Sequence, residues 1–124
     1  MAYDPDNIFA KILRGEIPND TVHEDEHALA FRDIHPVRPV HVLVIPRGAY
    51  VDVGDFAVRA TADEIAGFWR AVAAAAEKAG VAGGGYRLIA NTGANGGQEV
   101  PHFHVHIVGG GRVGPMVSPR PDRN

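Results

Sequence analysis

The stretch Pro101-His102-Phe103-His104-Val105-His106-Ile107-Val108 decides the reading of this 124-residue chain. Read as a strand from His102 to Val108, it alternates: His102, His104 and His106 share one face, while Phe103, Val105 and Ile107 turn to the core. A single histidine there would pass as a solvated polar position. Three in strict alternation against clean hydrophobes line a surface suited to chemistry. Metal binding is one candidate, because imidazole ligates zinc, copper, iron and nickel. At a rise of about 3.3 Å per residue, however, neighbouring members of the trio lie about 6.6 Å apart and the outer two about 13 Å apart. They do not converge on one ion, and a two-histidine site would need a further ligand such as His41 or a carboxylate. The other candidate is phosphoryl chemistry, since a neutral imidazole is both a nucleophile for phosphorus and a proton carrier near pH 7. Just before the strand, Asn91, Gly93, Asn95, Gly96, Gly97 and Gln98 supply amide donors and unobstructed backbone N–H groups that can cradle one phosphate.

Outward from this strand, the remaining elements follow from spacing and punctuation. Asp6 or Asn7 can cap a short first helix through Ile8, Phe9, Ile12 and Leu13, which share a face, and Gly15 and Pro18 end it. Thr21 to Glu24 and Ala28 to Ile34 flank a polar turn at Asp25 to His27 and read as an antiparallel hairpin, in which His23 and His27 are surface residues. Val40 to Ile45 is apolar on both faces and rich in β-branched residues, the sign of a central strand, which Pro46 closes. Thr61 and Glu64 form a capping box for the main helix, with Ile65, Phe68, Trp69, Val72 and Ala76 at helical spacing up to Gly80. Gly83 to Gly85 make a turn, Tyr86 to Asn91 a strand, and Thr92 to Gly97 a polar loop. The tail from about residue 112 carries Pro115, Pro119 and Pro121 and reads as extended and poorly ordered. This order predicts an α+β fold: one domain over residues 1–124, with an antiparallel sheet of about five strands, one main helix and a short N-terminal helix.

Composition excludes several classes. No apolar run approaches the roughly 20 residues of a membrane helix. Asp4, Pro5 and Asp6 stand where an export signal would be basic and then apolar. The chain holds no cysteine, which agrees with a reducing compartment, so the cytoplasm is the expected location. A net charge of -3 offers no basic field for a nucleic acid.

The pattern His-φ-His-φ-His-φ-φ, met by His102 to Val108, resembles that of the histidine-triad (HIT) family. Gly96-Gly97-Gln98-Glu99-Val100 before it and Gly109-Gly110 after it are similar to its Hint branch. The likeness extends over Ile8-Phe9, Lys11-Ile12, Glu16-Ile17-Pro18, Ala30-Phe31, Asp33-Ile34, Pro39, His41 and Leu43-Val44-Ile45-Pro46. The resemblance implies an α+β homodimer whose sheets join, acting on purine nucleotides (AMP-like) at the α-phosphate without a cofactor or metal. By the same resemblance, His104 attacks phosphorus, His106 contacts the phosphate or leaving group, and His102 and His41 orient the cluster. Asn91 and Gln98 hold phosphate oxygens and the leaving side. The backbone N–H of Glu99 remains available to phosphate, with Gly97 and Val100 beside it. Asp33 accepts the ribose hydroxyls, and Ile8, Phe9, Phe31, Ile34 and Leu43 surround the base. Two positions depart from the pattern: Glu99 stands where serine is common, removing a hydroxyl contact, and His35 replaces a serine after Asp33-Ile34 and receives no role.

The expected function is hydrolysis of purine nucleoside 5'-phosphoramidates or acyl-nucleotide adducts through a nucleotidyl-histidine. The alternatives are a dinucleoside polyphosphate hydrolase or nucleotidyl transferase of the same family, and a regulatory module that binds nucleotides without turnover. An intact triad weighs against the last, because binding alone needs no nucleophile. A homodimer is also expected from apolar surface on Val42 to Ile45 and on the Trp69 helix, in excess of what one copy buries.

Overall fold

A computed structural model describes residues 2–118. The elements are α1 (Ile8–Leu13), β1 (Thr21–Glu24), β2 (Ala28–Arg32), β3 (Val40–Pro46), α2 (Val53–Arg59), α3 (Ala62–Lys78), β4 (Tyr86–Ile89), α4 (Gly93–Gly96) and β5 (Val105–Gly109). The strands form one antiparallel sheet in the order β1-β2-β3-β5-β4, so β3 is central, as its two-sided apolar sequence requires. The chain therefore has the α+β fold expected of it.

The parity of β3 assigns the two faces. Val42 and Val44 pack with Ala28, Ala30, Val105 and Ile107 beneath Phe68, Ala71, Val72 and Ala75 of α3. Leu43 and Ile45 point the other way and pack with Leu29 and Phe31 against Phe9 and Ile12 of α1. Since Leu43 pairs with His106 and His41 with Val108, the His106 side chain emerges on the α1 face beside Leu43 and His41. α3 thus covers one face, while the six-residue α1 covers only part of the other. Polar chemistry occupies the remainder.

The caps follow the sequence. Asn7, rather than Asp6, caps α1 by accepting from the Ala10 N–H at 2.9 Å. Thr61 and Glu64 close a reciprocal capping box on α3. Gly67, an unfavourable residue inside a helix, has a packing reason: a Cβ there would lie 2.1 Å from the His27 ring. His27 is accordingly half-buried rather than on the surface. His23 is half-buried too, held between Asp25 Oδ2 and Lys78 Nζ at 2.8 Å each.

Several boundaries differ from expectation. β2 stops at Arg32 because the Asp33 N–H still reaches the His41 carbonyl at 2.9 Å, after which Asp33 Oδ1 takes the His35 N–H and turns the chain. β4 ends at Ile89, and the loop at 92–97 contains the single turn α4, closed by Gly97 at φ 75°, a left-handed conformation that glycine adopts without steric penalty. α2 was not anticipated at all. Asp52 caps it, but Phe56 is its only buried residue, so it has no amphipathic signature. Val42 to Ile45 is buried within one copy, which removes that segment from the argument for a dimer. The start of the tail is also held: Arg38 donates to the Val113 carbonyl, and Arg87 donates to those of Gly114 and Pro115. The expectation of a poorly ordered tail falls, beyond residue 118, outside the described residues.

Candidate active site

β5 begins three residues later than the motif suggested, and the reason lies in the histidines. The His102 N–H turns back to the Val100 carbonyl at 2.9 Å, and the Phe103 N–H bonds the Tyr50 carbonyl at 2.7 Å. Opposite Pro46 the sheet bond is replaced by a side chain, since His102 Nε2 donates to the Pro46 carbonyl at 2.9 Å. The alternation of faces survives although the ladder does not: Phe103 and Val105 join the α3 core, and His104 packs edge-on against Phe9 with ring centroids 4.9 Å apart.

Hydrogen bonding assigns the imidazole protons. The Pro46 carbonyl only accepts, so His102 carries its proton on Nε2 and its Nδ1 accepts from the Tyr3 hydroxyl at 2.6 Å. The His102 backbone carbonyl in turn accepts from His104 Nδ1 at 2.7 Å. His104 Nε2 is left with its lone pair, and it has no hydrogen-bond partner among the described residues. On the next strand, Val37 N–H donates to His41 Nδ1 at 3.2 Å, which puts the His41 proton on Nε2, 2.9 Å from His106 Nδ1. His106 Nδ1 therefore accepts, and its proton sits on Nε2. The rings of His104 and His106 are adjacent, with centroids 5.1 Å apart. One presents a lone pair and its neighbour an N–H.

Burial supports this state. Burial pushes His102 down to about 4 and, with the nearby charges of His104 and His41, His106 down to about 4 as well. Burial also lowers His104, partly opposed by its bond to the His102 carbonyl and by the charges of Asp33 and Glu99. All three imidazoles are neutral at pH 7.

These groups line a cavity of about 580 Å³ between α1, the β2–β3 connection and the loop before β5. Ile8, Phe9, Phe31, Ile34 and Leu43 form its apolar wall, and Asp33 and His41 lie beside His106 and His104. Asn91, Gly97, Glu99 and Val100 border it on the loop side. Two expected residues do not line it. His102 is fully buried behind His104. The Gln98 amide is turned inward: its Nε2 donates to the Val51 and Val100 carbonyls, and its Oε1 accepts from the Gly93 N–H. Gln98 is thus a brace for the loop and does not meet the cavity. Sequence reasoning missed Ile12, Ile17 and Val37 in the wall and the polar group Asn19, Asp20 and Arg32 at its edge. Ile12 was legible as part of the α1 face; the others depend on how the connections fold. It also missed Tyr3, which offers no pattern to read.

Asp33, His41 and His106 each offer a ligand atom, all within 4.8 Å of one another, and are the group in which a cation could be held. Such an ion would have to displace the bond between His41 and His106.

The HIT domain family model matches residues 14–113. The chain is 59% identical to an uncharacterized 13.2 kDa HIT-like protein of Azospirillum brasilense, over 94% of this chain and 95% of that one. It is 47% identical to the purine nucleoside phosphoramidase of Escherichia coli, over 91% and 94% of the two chains. Its fold matches a histidine triad protein from Clostridium difficile with a TM-score of 0.83 and 37% identity, covering 94% of this chain and all of that one.

Proposed function

From the premise that the chain belongs to the HIT family, we propose that it hydrolyses purine nucleoside 5'-phosphoramidates or acyl-nucleotide adducts at the α-phosphate. The observation that carries this reading is the pairing of a lone pair on His104 Nε2 with an N–H on the adjacent His106. His104 attacks phosphorus, and the P–N bond to the leaving amine breaks. An amine leaves poorly as an anion, so His106 Nε2–H supplies a proton as that bond breaks. Water, giving a proton back to His106, then displaces His104 from phosphorus and restores both imidazoles. Two lower barriers replace one. His102 acts through its carbonyl, fixing the His104 tautomer, and His41 fixes that of His106.

The nucleoside lies against Phe9, Phe31 and Leu43, with the phosphate beside the backbone of Gly97 and Glu99 and the side chain of Asn91. Identity with the Escherichia coli purine nucleoside phosphoramidase over nearly the whole chain favours amidates over dinucleoside polyphosphates. A hydrolysis assay with a chelator present, comparing adenosine phosphoramidate, acyl-adenylate and dinucleoside polyphosphate, tests the reading. Turnover of the first two with the third slowest is expected. Activity lost to the chelator and restored by zinc would favour the Asp33, His41 and His106 cation group instead.

Asp33 accepts the ribose hydroxyls through its carboxylate on the cavity wall. Asp33→Asn is expected to weaken AMP binding by about 1.5 to 3 kcal/mol, the range for hydrogen bonds to a charged group, and to slow the chemical step less. Calorimetry showing unchanged AMP affinity would take Asp33 out of the ribose site.

The working unit in this reading is a homodimer. β4 is an edge strand with exposed Tyr86 and Leu88, and Trp69 on α3 is 42% exposed. An open strand edge with apolar side chains is unfavourable unless paired. Sedimentation is expected to give twice 13.2 kDa, and a monomer at micromolar concentration would contradict it.

A further inference from the structure

The Glu99 side chain has no role in the account so far. Its backbone is held on both sides, because Gln98 Nε2 bonds the Val51 carbonyl and reaches past Glu99 to the Val100 carbonyl. Glu99 is exposed and lines the same cavity as His104 and His106, and its carboxylate forms no hydrogen bond or ion pair among the described residues. Its charge is felt at the His104 ring, against the larger effect of burial. Among the described residues the cavity lining contains no lysine and a single arginine, Arg32, whose guanidinium faces Asp20 at 3.5 Å. Among the described residues, a leaving group that is itself anionic therefore meets the Glu99 carboxylate and no free guanidinium or ammonium.

We propose that Glu99 selects the leaving group by charge: its carboxylate favours amidates whose leaving amine carries a second, ammonium group and disfavours those that carry a carboxylate or further phosphates. The inference rests on the phosphoramidase reading above and specifies which substrates that site prefers. The preference arises where the loop before β5 meets the nucleophile. The nucleoside contacts are common to every substrate, so discrimination between substrates falls to the side of the cavity that the leaving group occupies.

The test uses three adenosine 5'-phosphoramidates with leaving amines of equal length: propylamine, ethylenediamine and β-alanine, ending in a methyl, an ammonium and a carboxylate. kcat/KM is measured for each with the wild type, Glu99→Gln and Glu99→Lys. Dividing wild-type ratios by variant ratios cancels the intrinsic basicity of each leaving amine. The wild type is expected to favour the ammonium over the methyl substrate by roughly three- to tenfold relative to Glu99→Gln, the scale of one partly solvated ion pair. Glu99→Lys is expected to reverse the order and favour the carboxylate, and added salt to compress both preferences.

Binding of the matching AMP esters, propyl, 2-aminoethyl and 2-carboxyethyl, is followed by calorimetry and requires no turnover. Should the wild type hydrolyse none of the amidates, the phosphoramidase reading fails, and the ester affinities still judge Glu99. Should the amidates turn over with the same charge order in wild type, Glu99→Gln and Glu99→Lys, the selector role is overturned while the phosphoramidase reading stands.

Discussion

Replacing His104 with alanine is expected to leave a protein that binds AMP nearly as well as the wild type and turns over no amidate, with kcat reduced by roughly four orders of magnitude or more. In the proposed mechanism the magnitude follows from the removal of the nucleophile rather than of a contact. His104 Nε2 has an unshared lone pair because its other nitrogen is committed to the His102 carbonyl. Burial holds the ring below the ordinary imidazole range, so the lone pair is available at neutral pH without a base to uncover it. A depressed value keeps His104 unprotonated as pH falls toward 6.5, so the acid limb of wild-type kcat/KM is expected below that point. In the wild type, a rapid quench that avoids acid, followed by peptide mass spectrometry, is expected to find the nucleotidyl group on His104. An adduct on His102 or His106, or activity persisting in His104→Ala, would refute the assignment.

The second large effect is expected at His41, whose Nε2 bonds His106 Nδ1 on the neighbouring strand. His41→Ala takes away the donor that keeps His106 Nδ1 occupied and leaves both that nitrogen and the Val37 N–H without their partner. His106 is then free to place its proton on Nδ1, where it cannot reach the leaving amine. A loss of roughly a hundredfold in kcat with little change in KM is expected, the scale of one positioned general acid. Glutamine offers both a donor and an acceptor, so His41→Gln is expected to recover part of the loss. A rise in KM with kcat intact would instead make His41 a binding residue.

Much of this architecture was legible before the structure. α3 announced itself through Thr61, Glu64 and a run of apolar residues at helical spacing, and β3 through an apolar sequence that only a central strand accommodates. The alternation of 102–107 gave the correct faces, because side-chain parity persists where the chain is extended even without ladder bonds. It did not give the start of β5. That start depends on His102 replacing a strand partner at Pro46 and on Tyr50 capturing the Phe103 N–H, contacts between residues more than 50 positions apart. α2 was silent for a simpler reason: one buried residue, Phe56, cannot make a periodic pattern. At the site, the residues could be nominated by type, but their protonation pattern could not, since each proton is placed by a carbonyl or amide from another element. Gln98 shows the limit most plainly. A free amide in a glycine-rich loop reads as a ligand donor, and only the positions of the Val51 and Val100 carbonyls reveal that it is already committed.

The hydrogen bond from Tyr3 to His102 joins residues 99 positions apart, close to the full length of the chain. Closing so long a loop costs entropy that local helix formation does not, and such contacts tend to be made late. In refolding, then, helical signal and collapse would return before competence does, and regained turnover would time the arrival of the N-terminal segment on a sheet already assembled. Under the proposed function, turnover becomes a clock for the last folding step.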